Sequence, residues 1–298
     1  MQLGFSSFSF KSALDSGRMD MADVVRWIAG VGGEHIELAS MTFSPKGQDM
    51  FWNFYDQPEL LAALTGTAAA TGIGLSGICI PANFLVTGSD LTAQIERVKR
   101  HVDLCAQLGI RYLRHDVTEW ARRTIDIADF EDNFAVLVDS SAEIARYAAD
   151  KGVVTSIENH GFFMNSSERV RRLIHHVGLD NFRTTIDVGN FLCVDEDPLI
   201  ATELNLPYAS LVHLKDFYIR PRSNPQGEGW LKTTGQNYLL GSVIGYGDMD
   251  TRAILGAILA QGYDGYLSIE FEGNEDCLFG CERGLINTRR LLGELPAG

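Results

Sequence analysis

Four apolar runs in the second half of the chain end on groups that could do chemistry. They are SIENHG with Glu158, TIDVGN with Asp187, LVHLKD with His213 and YLSIEFEG with Glu270. Two glutamates, an aspartate and an imidazole make an oxygen-rich set that suits one divalent cation such as Mn2+, Mg2+, Co2+ or Zn2+. Without a cation, three clustered carboxylates would repel one another and at least one would take up a proton. Each residue also has an ordinary use. Asp187 could cap a helix, His213 could be an interior histidine with its hydrogen bonds met, and Glu270 could pair with an arginine. The recurrence, one such group at the end of each successive run, favours a shared site.

Those residues need elements that converge. Eight short apolar runs read as strands: 3–9, 35–40, 74–80, 111–116, 152–158, 182–187, 210–215 and 265–271. Helical patterns lie between them. DLTAQIERVKRHVDLCAQLG, for example, sets Ile95, Val98 and Val102 on one side and stops at Gly109. Helix, glycine, strand, repeated in this way, predicts an α/β chain folded as a (β/α)8 TIM barrel, one domain over residues 1–298. An open doubly wound sheet ranks lower, because GFSSFSFKS after the first run has no GxGxxG phosphate turn. In a barrel the last four strands are neighbours. Their C-terminal ends then lie on the face where barrel enzymes keep their sites. Three long connections, 41–56, 116–130 and 217–249, would overhang that face. Phe5, Phe8, Trp52 and Trp230 are candidates for an apolar wall on which a sugar could stack.

Composition narrows the partners. Of 298 residues, 45% are hydrophobic, and the formal net charge is −14. Such a charge argues against nucleic acid and against an anionic membrane surface. No apolar run approaches the ~20 residues of a membrane span. The start, MQLGFSSFSF, has no basic segment followed by a long apolar one, so a cytoplasmic location is expected. The five cysteines are odd in number and form no CxxC pair, which reads as reduced thiols.

The segments SIENHG, TIDVGNF, VHLKDF and GYLSIEFEG resemble those of the sugar phosphate isomerase/epimerase superfamily, the xylose isomerase-like barrels. That superfamily includes ketose 3-epimerases, inosose isomerases and dehydratases, and apurinic endonucleases. The resemblance covers most of the chain, with its specific motifs in residues 152–273. It implies one divalent metal ion, Mn2+ first among the candidates, held by Glu158, Asp187, His213 and Glu270, with Glu158 and Glu270 as the acid and base. The chemistry agrees. Epimerising a ketose removes a proton beside a carbonyl, a cation stabilises the resulting enediolate, and two carboxylates on opposite faces exchange the proton. One position departs from the family. Many members carry Asp-x-x-His on the sixth strand, whereas here Asp187 leads to Asn190, a poor metal ligand that can still bond a hydroxyl.

Around this core, His160, Asn190, Lys215, Arg220 and His115 are candidate substrate-binding residues, Arg114 beside His115 could also face the site, and Asn159 could reach a sugar hydroxyl. Lys215 could balance developing negative charge, and Asp216 could orient Lys215 or His213. Arg220 and Arg222 could take a phosphate or carboxylate. The expected activity is a metal-dependent isomerase or epimerase of a small sugar or keto-polyol. A dehydratase using the same metal, or a barrel that binds metal or sugar without turnover, are the alternatives. Exchange of substrate C–H with deuterated solvent separates an enzyme from a mere binder. A homodimer or homotetramer fits the long aromatic loops.

Overall fold

The computed structural model describes residues 1–44, 51–123 and 126–296. Seven parallel strands come first: β1 (Gln2–Ser6), β2 (His35–Ala39), β3 (Gly74–Ile80), β4 (Tyr112–His115), β5 (Val154–Glu158), β6 (Phe182–Asp187) and β7 (Ala209–Leu214). Three short strands follow, β8 (Asp216–Arg220), β9 (Leu231–Lys232) and β10 (Tyr238–Ser242), paired antiparallel in the order β8-β10-β9. The last strand, β11 (Tyr266–Ile269), pairs in parallel with both β7 and β1 and closes an eight-stranded barrel. The fold is the expected (β/α)8 barrel. Among the described residues, no helix is long and apolar enough to cross a membrane.

Strand alternation divides the labour. Ile157, Ile186, Val212, Leu214, Leu267 and Ile269 belong to the core packed between sheet and helices. Their neighbours Glu158, Asp187, His213, Ser268 and Glu270 take the opposite, inner face. Helices cover the outside. The helix Ser89–Leu108 buries Ile95, Val98 and Val102 and ends on Gly109 at φ 69°, a left-handed position that favours glycine.

Several sequence expectations are revised. The first strand stops at Ser6, because a 3-10 turn over Ser7–Phe10 takes the rest of the run. Phe5 is core rather than cavity wall, its ring 5.7 Å from those of Phe10 and Trp27. Residues 217–249 contain the small antiparallel sheet instead of an irregular loop. Asp216 anchors it by accepting backbone N–H bonds from Phe217, Gly245 and Gly247 at 2.8, 2.8 and 3.1 Å. That clamp, and no contact with Lys215 or His213, is the role of Asp216. In the connection 116–130, a helix begins at Ile127. The middle of the connection 41–56, residues 45–50, lies outside the described residues.

Two interior histidines illustrate what the packing demands. The ring nitrogen Nδ1 of His101 bonds Arg97 O at 2.9 Å, and that of His115 bonds Asp116 O at 2.9 Å. Their Nε2 atoms are buried without a partner. Burial pushes the pKa of His101 down to about 3 and that of His115 down to about 4. The unfolded chain therefore binds protons that the folded one refuses, and this stability is present above pH 6.5 and lost as the pH falls towards 4. Between pH 7 and pH 5 each histidine should remove about 2 kcal/mol. In urea titrations, His101→Gln should lessen the pH 7-to-5 loss by that amount. An unchanged loss would mean that His101 is not held neutral.

Candidate metal centre and active site

Glu158 ends β5, Asp187 ends β6, His213 lies one residue from the end of β7, and Glu270 follows β11. The barrel brings one ligand atom from each to within 4.8 Å of the others. All four are almost wholly buried. Glu158 Oε1 accepts a bond from Asn190 Nδ2 at 2.9 Å, and its Oε2 lies 2.8 Å from Arg114 Nε. Glu270 Oε1 accepts from Ser6 Oγ at 3.0 Å, while its Oε2 lies 3.0 Å from Lys215 Nζ. Asp187 uses its two oxygens differently. Its Oδ1 caps the turn that follows, accepting from the N–H groups of Gly189 and Asn190 at 2.9 Å, and its Oδ2 points to Lys215 Nζ at 3.0 Å.

The histidine is the test of whether a cation fits. His213 Nε2 bonds Glu37 Oε2 at 2.5 Å. Its Nδ1 is buried without a hydrogen-bond partner and faces Glu270 Oε2 at 3.6 Å and Glu158 Oε2 at 3.9 Å. A carboxylate on one nitrogen fixes the ring and frees the other to ligate, which is the usual arrangement of a metal-binding histidine. Three carboxylates and an aimed imidazole nitrogen make a donor set that fits one divalent ion. Glu37 escaped the sequence reading. The signal was present: in HIELA, Glu37 alternates with the core residues Ile36 and Leu38 and so must point into the barrel.

Electrostatics divide the two glutamates. Burial raises the pKa of Glu158, more than Arg114 and His213 lower it. Burial also works to raise that of Glu270, but Lys215 and His213 outweigh it and hold the group well below the usual carboxylate range. Burial opposes the charge on Lys215 as well, yet Asp187, Glu272 and Glu270 keep it firmly protonated.

A cavity of about 420 Å³ opens over this cluster, with Arg114, Asp116, Glu158, His160 and Glu270 among its walls. A smaller one of about 170 Å³, lined in part by Asn190 and Lys215, shares Trp120, His160 and Glu272 with it. His160 thus lies on the wall of both cavities, and Asn190 and Lys215 on that of the smaller one. His160 Nδ1 leans on Asp116 Oδ1 at 3.0 Å. Asn190 links Glu158 to Lys215, whose Nζ donates to its Oδ1 at 3.3 Å.

Other candidates fall elsewhere. His115 points out of the barrel, its ring 5.6 Å from Phe84 and 6.3 Å from Phe182, and Arg114 beside it points in. Arg220 is turned to Asp248 Oδ2 at 2.7 Å, because β8 carries it into the small sheet. Asn159 is spent on backbone, bonding Asp187 O at 2.8 Å and Asp187 N at 2.9 Å, and so ties β5 to β6. Trp52 stacks on Phe43, and Trp230 lies near Arg220, whereas Phe8, Phe51 and Trp120 line the larger cavity.

Known proteins share this architecture. A stretch of 143 residues is 24% identical to an inosose dehydratase of Geobacillus thermodenitrificans. It covers 48% of each chain, so the match spans about half the length of that relative. The D-allulose 3-epimerase from Methylomonas sp. in complex with D-allulose superposes with a TM-score of 0.71 at 14% identity, covering 97% of this chain and 96% of that one. The probable 3-DHS dehydratase involved in petrobactin synthesis from Bacillus anthracis gives 0.73 at 16%, covering 97% and 100%. A xylose isomerase-like TIM barrel protein from Mycobacterium smegmatis, in complex with magnesium, gives 0.69 at 16%, covering 99% and 98%. At these identities the structural likeness speaks for the fold alone. The family described as the xylose isomerase-like TIM barrel matches residues 25–287, most of the chain, and the chain belongs to that family.

Proposed function

We propose that the protein is a metal-dependent isomerase or epimerase that removes and returns a proton beside the carbonyl of a small sugar or keto-polyol. The observation that carries this reading is His213 Nδ1, buried, unpartnered and facing two of the three clustered carboxylates, with Nε2 fixed by Glu37. Glu158, Asp187, His213 and Glu270 would hold the ion, Mn2+ foremost. When bound, a divalent ion there would draw electron density from a carbonyl and its neighbouring hydroxyl and so acidify the C–H between them.

The chain's own residues supply the proton transfers. Glu158 and Glu270 reach the site from β5 and β11, with β6 and β7 between them in the barrel, and are held by different partners, Arg114 and Asn190 for one, Ser6 and Lys215 for the other. One takes the proton and the other can return it to the opposite face. Lys215, with three carboxylates within 3.0 Å, stays charged and offsets negative charge that develops on the substrate.

A second reading has its own support. Loss of a hydroxyl from the deprotonated substrate needs a proton donor. His160, oriented by Asp116 and on the wall of both cavities, is placed for that task. The partial match to an inosose dehydratase favours the same chemistry.

Protein purified without chelator or metal-affinity tag should carry about one divalent ion per chain, and His213→Ala far less, by elemental analysis. If neither takes up Mn2+ or Co2+ on incubation, the metal reading is wrong. Glu37→Gln should weaken metal binding about 10-fold, read by competition with a chelating dye, because the imidazole loses its orienting carboxylate. Glu158→Gln and Glu270→Gln should each retain some metal yet cease to turn substrate over. Full turnover in both would rule out the two-glutamate mechanism.

A further inference from the structure

Among the described residues, the walls of the candidate site hold more negative charge than positive, and the arginine and lysine lining them are already engaged. Among the described residues, the carboxylates lining the two adjoining cavities are Asp116, Glu119, Glu158, Glu270 and Glu272, against the permanent cations Arg114 and Lys215. Arg114 is buried between Glu158 Oε2 and Asp116 Oδ1, each 2.8 Å away. Lys215 contacts Asp187, Glu270 and Glu272, each at 3.0 Å. His160 rests on Asp116. With Asp187 counted, six carboxylates face two cations, so even the two charges of a divalent ion leave the acids in excess by two. Of the two arginines considered for a phosphate, Arg220 is tied to Asp248 on the inserted sheet, and Arg222 is exposed and lines neither cavity.

Apart from Asn83 and Thr118, the rest of the described lining of the larger cavity is largely apolar. Phe8, Met41, Phe51, Pro81 and Trp120 supply a wall with no charge to offer. A phosphate ester or carboxylate needs unengaged Arg or Lys donors, and it would add like charge to a site already in deficit of cations. A neutral polyol needs neither. Its hydroxyls can bond the carboxylates and His160, and its C–H face can lie on the aromatic wall.

We infer that the site takes an uncharged polyhydroxy ketone or cyclic keto-polyol and discriminates against the corresponding phosphate ester. This rests on the proton-abstraction reading for what happens next, but the binding claim stands on the charge balance alone.

The test is a calorimetric titration of the Mn2+-loaded protein, with free Mn2+ held constant, against matched pairs: D-fructose and D-fructose 6-phosphate, D-ribulose and D-ribulose 5-phosphate, with scyllo-inosose as a cyclic neutral compound. At least one uncharged compound should bind, and a phosphorylated partner should bind about 10-fold more weakly or worse. Glu119→Gln, which removes one charge at the rim while keeping an acceptor for Asn83 Nδ2, should narrow that gap several-fold. A phosphate ester that binds as tightly as its parent, or a failure of every uncharged compound to bind, would overturn the inference. Deuterium uptake read in the same samples separates the two claims. A neutral ligand that binds without exchanging its C–H in deuterated water sinks proton abstraction and leaves the ligand class standing. Exchange confined to a phosphate ester does the reverse.

Discussion

Three carboxylates and an imidazole crowd one buried point, and much of the molecule is arranged to make that tolerable. Isolated charges in such a place would neutralise themselves by shifting their pKa values. Here Arg114 stands against Glu158, and Lys215 stands between Asp187 and Glu270. Both cations are themselves too buried to survive alone. The cluster and its counterions are therefore one object. Removing one member strands the others, which is why buried charge pairs are far more costly to break than to replace. The same crowding leaves space and donor atoms for a divalent ion on the side of His213 Nδ1, the one buried ring nitrogen in the cluster without a bond.

The barrel solves the problem of delivery. Parallel strands present their C-terminal ends on one rim, and successive side chains alternate between core and interior. In TSIE, TTID, LVHL and LSIE the apolar partner of each functional residue is the one that fastens the strand to the helices. Burial of the aliphatic half fixes the direction of the polar half, so stability and positioning come from the same alternation. Asn159 extends the joining of β5 and β6 past their last paired residues with two bonds to Asp187.

That alternation also explains what was legible in the sequence. The candidate ligand residues stood out because each is a polar group at the end of an apolar strand, and the barrel followed from eight repeats of strand and helix. Of the two residues that end the fourth strand, parity admits only one to the site: Leu113 is core, so Arg114 faces the interior and His115 the helices. Glu37 was missed because it lies inside its strand, not at its end, and mid-strand carboxylates attract less notice than terminal ones. Arg220 could not be placed, because whether 217–249 is loop or sheet depends on pairing between segments about twenty residues apart. Hydrophobic period alone does not report such pairing.

The segment HLKD shows how closely the two problems are joined. His213 turns inward to Glu37 and the ligand cluster, Leu214 turns outward into the core, and Lys215 turns inward again to the carboxylates. Asp216 then leaves the barrel and gathers the backbone of residues 217, 245 and 247. The fit there is close: a Cβ on Gly247 would stand 2.1 Å from Asp216 Oδ1. The inserted sheet, which brings Leu231, Leu239 and Gly241 to the smaller cavity, thus hangs from the residue next to the lysine that neutralises the site. Wall and counter-charge of the site thus come from adjacent residues, Asp216 holding the sheet and Lys215 the carboxylates.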